Sequence, residues 1–479
     1  MRLGLRASAV AQLAAAMFAA GPGNWVPARW QGGPVELRRR PVAAEAEIIR
    51  DWYSPRTLDL LDGTPVNCLL VTWSASSDAA LESEHQKLVA DYANAAHERK
   101  IAVLGLIYPE ADATRSARRA AEAGLDGVVL DGDFPDAARV ARELRKVIPL
   151  VISIDSRNRF SADPDRPVLA TSDAVTPRIR PVPASGSVDA TPTTEPWIDS
   201  NTWLVRALRA GSDARPVWLG QRLEHPSEED YARAIADAAV GGGRWVLAPD
   251  DSLMASLWRK QAGALAAWNR IAAHLDFQEQ HAEWRAFTPA AALGIVQDRA
   301  GQHSDMSDEN LNLITRRRIP YRVIERTALS SAALKGLPML LAANLAPPTA
   351  MERKLLADYS AAGGQVVEFK GDPPDPETLS KDLLELVGNE NLPVRLFNAS
   401  SVLAQVSAAP DGSRLLVQLI NYATVPSDLI TVRATGAYRG ARLLNPDAPP
   451  VQLRTTISGG KTGVRITTLG VYAAVLFEK

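Results

Sequence analysis

From Pro65 onward, short apolar runs alternate with longer stretches in which apolar residues recur at helical spacing. Amphipathic stretches such as "ESEHQKLVADYANAAHERK" and "DAARVARELRKV" follow individual runs. Continuous apolar strands alternating with amphipathic helices are typical of a parallel sheet covered by helices. The pattern therefore predicts seven parallel strands, at 66–73, 101–108, 126–131, 149–155, 166–173, 216–223 and 244–251.

An eighth strand is expected either at 177–182 ("PRIRPV") or near 35–40 ("VELRRR"). Eight such units close into a (β/α)8 TIM barrel, whereas an open doubly wound sheet is the alternative. The glycines at 241–243 precede a strand instead of joining a strand to a helix, so they form no nucleotide-binding fingerprint. This favours the barrel, with one long helix over 253–283.

Two further sequence patterns follow the predicted barrel. Strand-like runs "ALGIVQD", "YRVIE", "LPMLLAANL" and "QVVEF" alternate with helical stretches, which predicts a small flavodoxin-like parallel sheet. Helical spacing then ends, and short runs separated by Gly, Asn-Pro and Asp-Gly turns predict an all-β sandwich. The predicted domains are a barrel at 23–284, an α/β domain at 285–392 and a sandwich at 393–479.

The first residues carry the pattern of an export signal. Arg2 and Arg6 precede the weakly apolar run "ASAVAQLAAAMFAAG", so residues 1–22 are expected to be a signal peptide. The protein would then be periplasmic or secreted, and it would be cytoplasmic if this stretch is an ordinary helix. No later stretch has 18 continuous apolar residues, so we expect no membrane span.

Charge and cysteine content narrow the chemistry. The net charge of −2 gives no electrostatic reason to expect nucleic acid as a partner. Cys68 is the single cysteine, which excludes an internal disulfide and a cysteine-rich zinc site, and we expect it to be buried and inert. The six histidines show no metal-ligand spacing. We therefore expect neither a cofactor nor a metal.

The order of the three predicted domains resembles the layout of several barrel glycoside hydrolases. In those families the middle domain is similar to a glutamine amidotransferase domain that has lost its chemistry. The stretch "LLVQLINYATVPSDLITVRATG" resembles their C-terminal sandwich, and "AGLDGVVLDGDFPD" resembles a barrel strand that ends in an acidic residue. No specific family motif is matched. The resemblance implies a glycoside hydrolase acting on an oligo- or polysaccharide.

The middle domain departs from an active amidotransferase. Such an enzyme needs a nucleophilic cysteine after a strand, and "PMLLAANLAPP" offers Asn344 and no cysteine. The resemblance therefore implies a structural role, with homo-oligomer formation through this domain as an expectation.

Barrel enzymes place their reacting groups where strands end. Glycoside hydrolysis uses two carboxyl groups, and Asp131 and Asp155 stand directly at strand ends, so we predict them as the catalytic pair. Aromatic, charged and amide side chains near other strand ends, or in the long loop closing at "TEPWIDSNTW", are predicted to bind substrate. These residues are Trp73, Tyr108, Asp133, Arg157, Glu195, Trp197, Asp199, Asn201, Glu224 and Asp250.

Each of these aspartates has a structural alternative, because Asp after a strand commonly caps the next helix. Asp133 or Asp136 is a candidate cap, as is Asp251 or Ser252; Asp199 or Ser200 is expected to cap "NTWLVRALRAG". The missing family motif also leaves a second function open, a non-catalytic carbohydrate-binding or envelope protein on the same scaffold. A barrel enzyme of another chemistry, such as a lyase or an esterase, is the third.

Overall fold

The computed structural model describes residues 21–40, 45–76, 78–156, 159–160, 163, 165–180, 196–211, 215–298, 304–342, 345–368 and 376–479. The predicted signal peptide therefore lies almost entirely outside the described residues. The chain forms two compact units. The first comprises Met1–Ala174, Ala214–Glu228 and Gly243–Asp276, and the second comprises Val175–Asp213, Glu229–Gly242 and Phe277–Lys479.

The first unit is built on an eight-stranded parallel sheet. In order across the sheet its strands are β1 (Pro27–Arg29), β2 (Cys68–Ser74), β3 (Ala102–Ile107), β4 (Gly127–Asp131), β5 (Val151–Asp155), β6 (Leu169–Thr171), β9 (Val217–Leu219) and β10 (Arg244–Trp245). A parallel bridge between Ala28 and Leu247 joins the two ends of the sheet. The amide of Arg29 donates to the carbonyl of Leu247 at 2.7 Å. The sheet is thus a closed barrel, as predicted.

Both positions predicted for the eighth strand were wrong. Residues 35–40 fall mostly in a helix that begins with Gly33 and Pro34, and proline is well tolerated in the first turn of a helix. Within 177–182, Arg178–Ile179 (β7) pairs antiparallel with Ile198–Asp199 (β8) outside the barrel sheet. The eighth strand is β1, which has three residues and one proline and therefore leaves almost no pattern in the sequence.

The described residues of the first unit form seven α-helices: α1 (Gly33–Arg39), α2 (Ala46–Asp51), α3 (Ala79–Glu98), α4 (Ala113–Glu122), α5 (Ala137–Leu144), α8 (Asp251–Trp258) and α9 (Ala262–Gln280), whose last four residues belong to the second. Asp136 caps α5 by accepting from the Arg139 amide, as predicted. The single long helix expected over 253–283 is two helices, because Lys260 adopts a left-handed φ of 53° between them.

The barrel interior is apolar. Alternate residues of neighbouring strands form one buried cluster that includes Leu70, Leu104, Val129 and Ile152. Cys68 belongs to the same cluster, and burial raises the pKa of its thiol well above the usual value. A thiol in this environment stays protonated and is a packing residue.

The second unit contains a four-stranded parallel sheet with the order β13 (Tyr321–Glu325), β12 (Leu293–Gln297), β14 (Met339–Leu341) and β15 (Gln365–Val367). This order, second-first-third-fourth, is the flavodoxin-like one. The helices of this unit are α6 (Thr202–Ala210), α7 (Glu228–Val240, from its second residue), α10 (Ser304–Arg316), α11 (Ser331–Leu334), α12 (Ala350–Ala361) and α13 (Pro376–Val387). All four predicted strands are present.

Two antiparallel sheets complete the second unit. One has the order β11 (Thr288–Pro289), β17 (Val402–Ala408), β18 (Arg414–Asn421), β24 (Tyr472–Glu478), β20 (Gly440–Asn445) and β21 (Ala448–Gln452). The other has the order β16 (Val394–Phe397), β19 (Ser427–Thr435), β23 (Lys461–Leu469) and β22 (Thr456–Ser458). Residues from both, such as Val417 and Val432, share one buried cluster, which confirms the predicted sandwich.

Candidate functional site

The carboxyl ends of the barrel strands carry a group of charged side chains. Parallel strands end at the same mouth of a barrel, so side chains at strand ends that point inward face a common space. Strand β1 ends at Arg29, β4 ends at Asp131, and β3 is followed directly by Tyr108. We call this region of the first unit the barrel mouth.

Asp131 is the predicted catalytic residue that the structure places in the barrel mouth. It accepts a hydrogen bond from Nη1 of Arg29 at 2.8 Å, with 16% of the Asp131 side chain and 10% of the Arg29 side chain exposed. The pKa of Arg29 is raised, because the charge and hydrogen bond of Asp131 outweigh the burial that would lower it. Among the described atoms, Nε of Arg29 has no hydrogen-bond partner. This cation therefore keeps one buried donor that no described acceptor uses.

Helix α1 adds a second charged group that was not predicted. Glu36 is buried; it accepts from Oγ1 of Thr72 at 2.7 Å and forms ion pairs with Arg39 and Arg40. Arg40 also pairs with Asp251 at 2.6 Å. The stretch "ELRRR" could have revealed this group, because arginines three and four residues after a glutamate share its face if the segment is helical.

Tyr108 forms an aromatic wall beside these charges. Its hydroxyl accepts from Nε2 of Gln31 at 2.7 Å, and the Arg39 guanidinium lies 3.3 Å from its ring centre. Burial, reinforced by the charges of Asp131 and Glu36, raises the pKa of Tyr108 far above its usual value. Tyr108 is therefore a neutral hydrogen-bonding side chain at any ordinary pH.

Asp155, the other half of the predicted catalytic pair, lies apart from this group. In the sheet register Asp131 is paired with Ile154, and Ile154 belongs to the barrel interior. Successive residues of a strand point to opposite faces, so Asp155 points outward. It is 3% exposed and pairs with the buried Arg166 at 2.9 Å. The structure therefore does not bring the two aspartates together.

The remaining predicted positions of the first unit have varied surroundings. Trp73 is buried and donates to the Ser116 carbonyl at 2.9 Å, which makes it a packing residue. Asp133 is exposed and pairs with Arg159 at 3.0 Å. Glu224 is exposed. Asp250 caps α8 by accepting from the Leu253 amide, which corrects the expectation that Asp251 or Ser252 is the cap. Arg157 lies outside the described residues.

The stretch "TEPWIDSNTW" belongs to the second unit, and Glu195 lies outside the described residues. The guanidinium of Arg316 lies 3.2 Å from the ring centre of Trp197. Asp199 pairs with Arg180 at 2.6 Å. The side chain of Asn201 bonds both the amide and the carbonyl of Val175, at 2.7 and 2.8 Å. These contacts make the stretch a structural junction of its unit.

The prediction that Asp199 or Ser200 caps α6 holds only in part, because Ser200 stands one residue before the cap position and still accepts from the Thr202 amide. Asn201 stands at the cap position and makes no side-chain capping bond. Ser200 instead donates to the buried carboxylate of Asp237 at 2.6 Å, and the Tyr422 hydroxyl donates to the same group. Burial raises the pKa of Asp237. The hydroxyl of Ser200 thus links a neighbouring helix to the first turn of its own, because it donates to Asp237 and accepts from the Thr202 amide at 3.2 Å.

The described residues contain neither a candidate metal site nor a candidate membrane-spanning helix. In those parts of the chain, no three His, Cys, Asp or Glu side chains are grouped so that they could hold a metal ion. No described helix is long and apolar enough to cross a membrane.

No family model and no curated protein matches the sequence. Solved structures do match. α-L-Fucosidase isoenzyme 2 from Paenibacillus thiaminolyticus superposes with a TM-score of 0.60 at 9% identity, covering 94% of this chain and 99% of that one. This likeness shows that the chain shares its fold with that protein.

Two further glycosidases superpose less well. The GH42 exo-carrageenase from Bacteroides ovatus gives a TM-score of 0.40 at 10% identity, covering 71% of this chain and 54% of that one. A GH42 β-galactosidase from G. stearothermophilus gives 0.37 at 10% identity, covering 93% and 68%. Superpositions this weak do not establish a shared fold. At 9% identity, the superposition on the fucosidase establishes the fold and does not identify a reaction.

Proposed function

We propose that the protein recognises a carbohydrate at the barrel mouth, on a glycosidase-like scaffold, without hydrolysing it. One observation carries the proposal: four described aspartates at or after the barrel strand ends are held by arginines or cap a helix. Asp131 is paired with Arg29, Asp155 with Arg166, and Asp251 with Arg40, while Asp250 caps a helix.

Glycoside hydrolysis needs two carboxyl groups on either side of the scissile bond, and one of them must hold a proton. A raised pKa keeps such a proton in place, and ion pairing has the opposite effect. The pKa of Asp251 is lowered, because Arg40 and Arg222 outweigh the burial that would raise it. Pairing with arginine thus works against a proton donor here.

The same side chains suit binding. Arg29 keeps a buried Nε donor without a partner, Gln31 and Tyr108 supply neutral polar groups, and Arg39 covers an aromatic face. Sugar hydroxyls accept and donate hydrogen bonds, so a few fixed polar groups can orient a saccharide ring.

A second candidate is a glycoside hydrolase in which Asp131 attacks the anomeric carbon or activates water. Two observations favour it: Asp131 stands at the inward-facing end of β4 with part of its carboxylate exposed, and the fold matches that of a fucosidase. A proton donor would then have to come from another carboxyl group.

One experiment separates the two. The purified chain is titrated with a panel of oligosaccharides by calorimetry, and reducing ends are measured in the same samples. Saturable binding that Arg29→Gln weakens, with no release of reducing ends, supports recognition. Release that Asp131→Asn abolishes supports hydrolysis. The matched control is Asp91→Asn, an exposed position on α3, which should change neither quantity, and a chain that neither binds nor cleaves would refute both candidates.

A further inference from the structure

The second unit contains a partly open cavity of about 250 Å³ that takes no part in the proposed function. Its wall comes from helices α6, α7 and α9, from the turn after α9 and from strands β13, β17 and β18. The lining side chains important here are Arg206, Arg209, Arg322, Gln278, Trp284 and Gln418. The wall is thus rich in hydrogen-bond donors and in positive charge.

Several donors in this wall have no acceptor among the described residues. Nη1 of Arg206, Nε of Arg322 and Nε2 of Gln278 are buried and make no hydrogen bond. Gln278 is only 8% exposed. A buried donor without an acceptor destabilises the fold, so three of them in one wall are unfavourable unless a group that accepts hydrogen bonds reaches them.

The positive charges of the lining arginines also favour an anion. Burial lowers the pKa of Arg206 and of Arg322, and burial together with the neighbouring Arg285 lowers the pKa of Arg209. Arg285 itself is neutralised by Glu279, with which it makes two contacts at 2.5 and 3.1 Å. An anion in the cavity would offer acceptors to the open donors and a counter-charge to the desolvated arginines.

We propose that this cavity binds a small molecule that carries an oxyanion group: a phosphate, a sulfate or a carboxylate. At about 30 Å³ per water molecule, the cavity has the volume of roughly eight waters. That volume admits the anionic group and a small organic body, which would lie against the indole of Trp284. The site belongs to the second unit and is independent of the carbohydrate proposed for the barrel mouth.

The test uses the full chain and three probes: inorganic phosphate, inorganic sulfate and malonate. Calorimetry should show one saturable site for at least one of them, and thermal unfolding should shift upward with its concentration. Arg206→Gln should weaken the affinity at least tenfold, whereas Arg206→Lys should retain part of it. Arg465→Gln removes an equal charge from an exposed position on β23 and should leave the affinity unchanged.

The proposal would be overturned if no probe binds the wild-type chain saturably, or if Arg206→Gln and Arg465→Gln bind with equal affinity. Loss of binding in Arg29→Gln would also overturn it, because the anion would then lie at the barrel mouth. If Arg206→Gln does not fold, Arg322→Gln replaces it. A sulfate-soaked crystal adds an independent readout, since density must appear within hydrogen-bond distance of Arg206 Nη1.

Discussion

Substituting Asp155 by Asn should destabilise the first unit strongly. The Asp155 carboxylate lies 2.9 Å from Nη2 of Arg166, and their side chains are 2% and 1% exposed. Asn has nearly the same shape but no charge, so the variant leaves the Arg166 guanidinium buried without its counter-ion. Breaking a buried ion pair in this way costs about 3–5 kcal/mol. We expect a loss of that size in the free energy of unfolding.

The measurement is urea unfolding followed by tryptophan fluorescence, because Trp30, Trp52, Trp218 and Trp245 are buried in the first unit and report on it. The two units need not unfold together, so the comparison uses the transition that this signal detects. The double variant Asp155→Leu with Arg166→Met removes both charges and should recover much of the lost stability, since apolar replacement of a buried pair is often neutral.

Asp131→Asn is the internal comparison, because the Asp131–Arg29 pair is more exposed and its loss should cost less. If Asp155→Asn unfolds within about 1 kcal/mol of the wild-type chain, the buried pair is not a stabilising element and the reasoning fails. If that stable variant also loses activity on a glycan, Asp155 regains its place as a catalytic candidate.

Two further predictions concern buried polar groups. His85 is fully buried, with Nε2 2.8 Å from the Thr72 carbonyl, and burial lowers its pKa to about 4 from 6.5. As pH falls, the unfolded chain binds a proton at His85 before the folded chain does, so the free energy of unfolding should decline between about pH 6.5 and 4, by up to about 3 kcal/mol. Denaturation at several pH values should show a smaller decline in His85→Gln. An equal decline in that variant would contradict the prediction. Tyr422→Phe removes a donor from buried Asp237 and should cost about 1–3 kcal/mol in unfolding monitored by circular dichroism. Tyr438→Phe, which loses no described hydrogen bond, should cost much less, and equal losses would argue against the network.

Most of the elements could be predicted from local patterns. Strands such as Cys68–Ser74 and Val151–Asp155 are buried on both faces, so each is a continuous apolar run. Asp136 directly precedes a run with helical spacing and caps it. Such features depend on residues close together in the chain, and the sequence displays them directly.

The same apolar runs concealed which strand-end aspartate faces the barrel interior. In "GVVLD" and "VISID" the residues before the aspartate are almost all apolar, so no alternation marks the inner face. The register of β4 against β5 decides it, because a shift of one residue exchanges the two faces.

The sequence by itself therefore determined the order and type of most elements, the three domain textures and a short list of strand-end residues. Only the tertiary structure decided that Pro27–Arg29 closes the barrel, that Asp131 meets Arg29 while Asp155 is held by Arg166, and that arginines from α6 and β13 line one cavity. Burial of a helix or strand produces a periodic pattern of apolar residues that the sequence shows directly. A contact between side chains a hundred residues apart depends on strand register and packing, and it produces no such pattern.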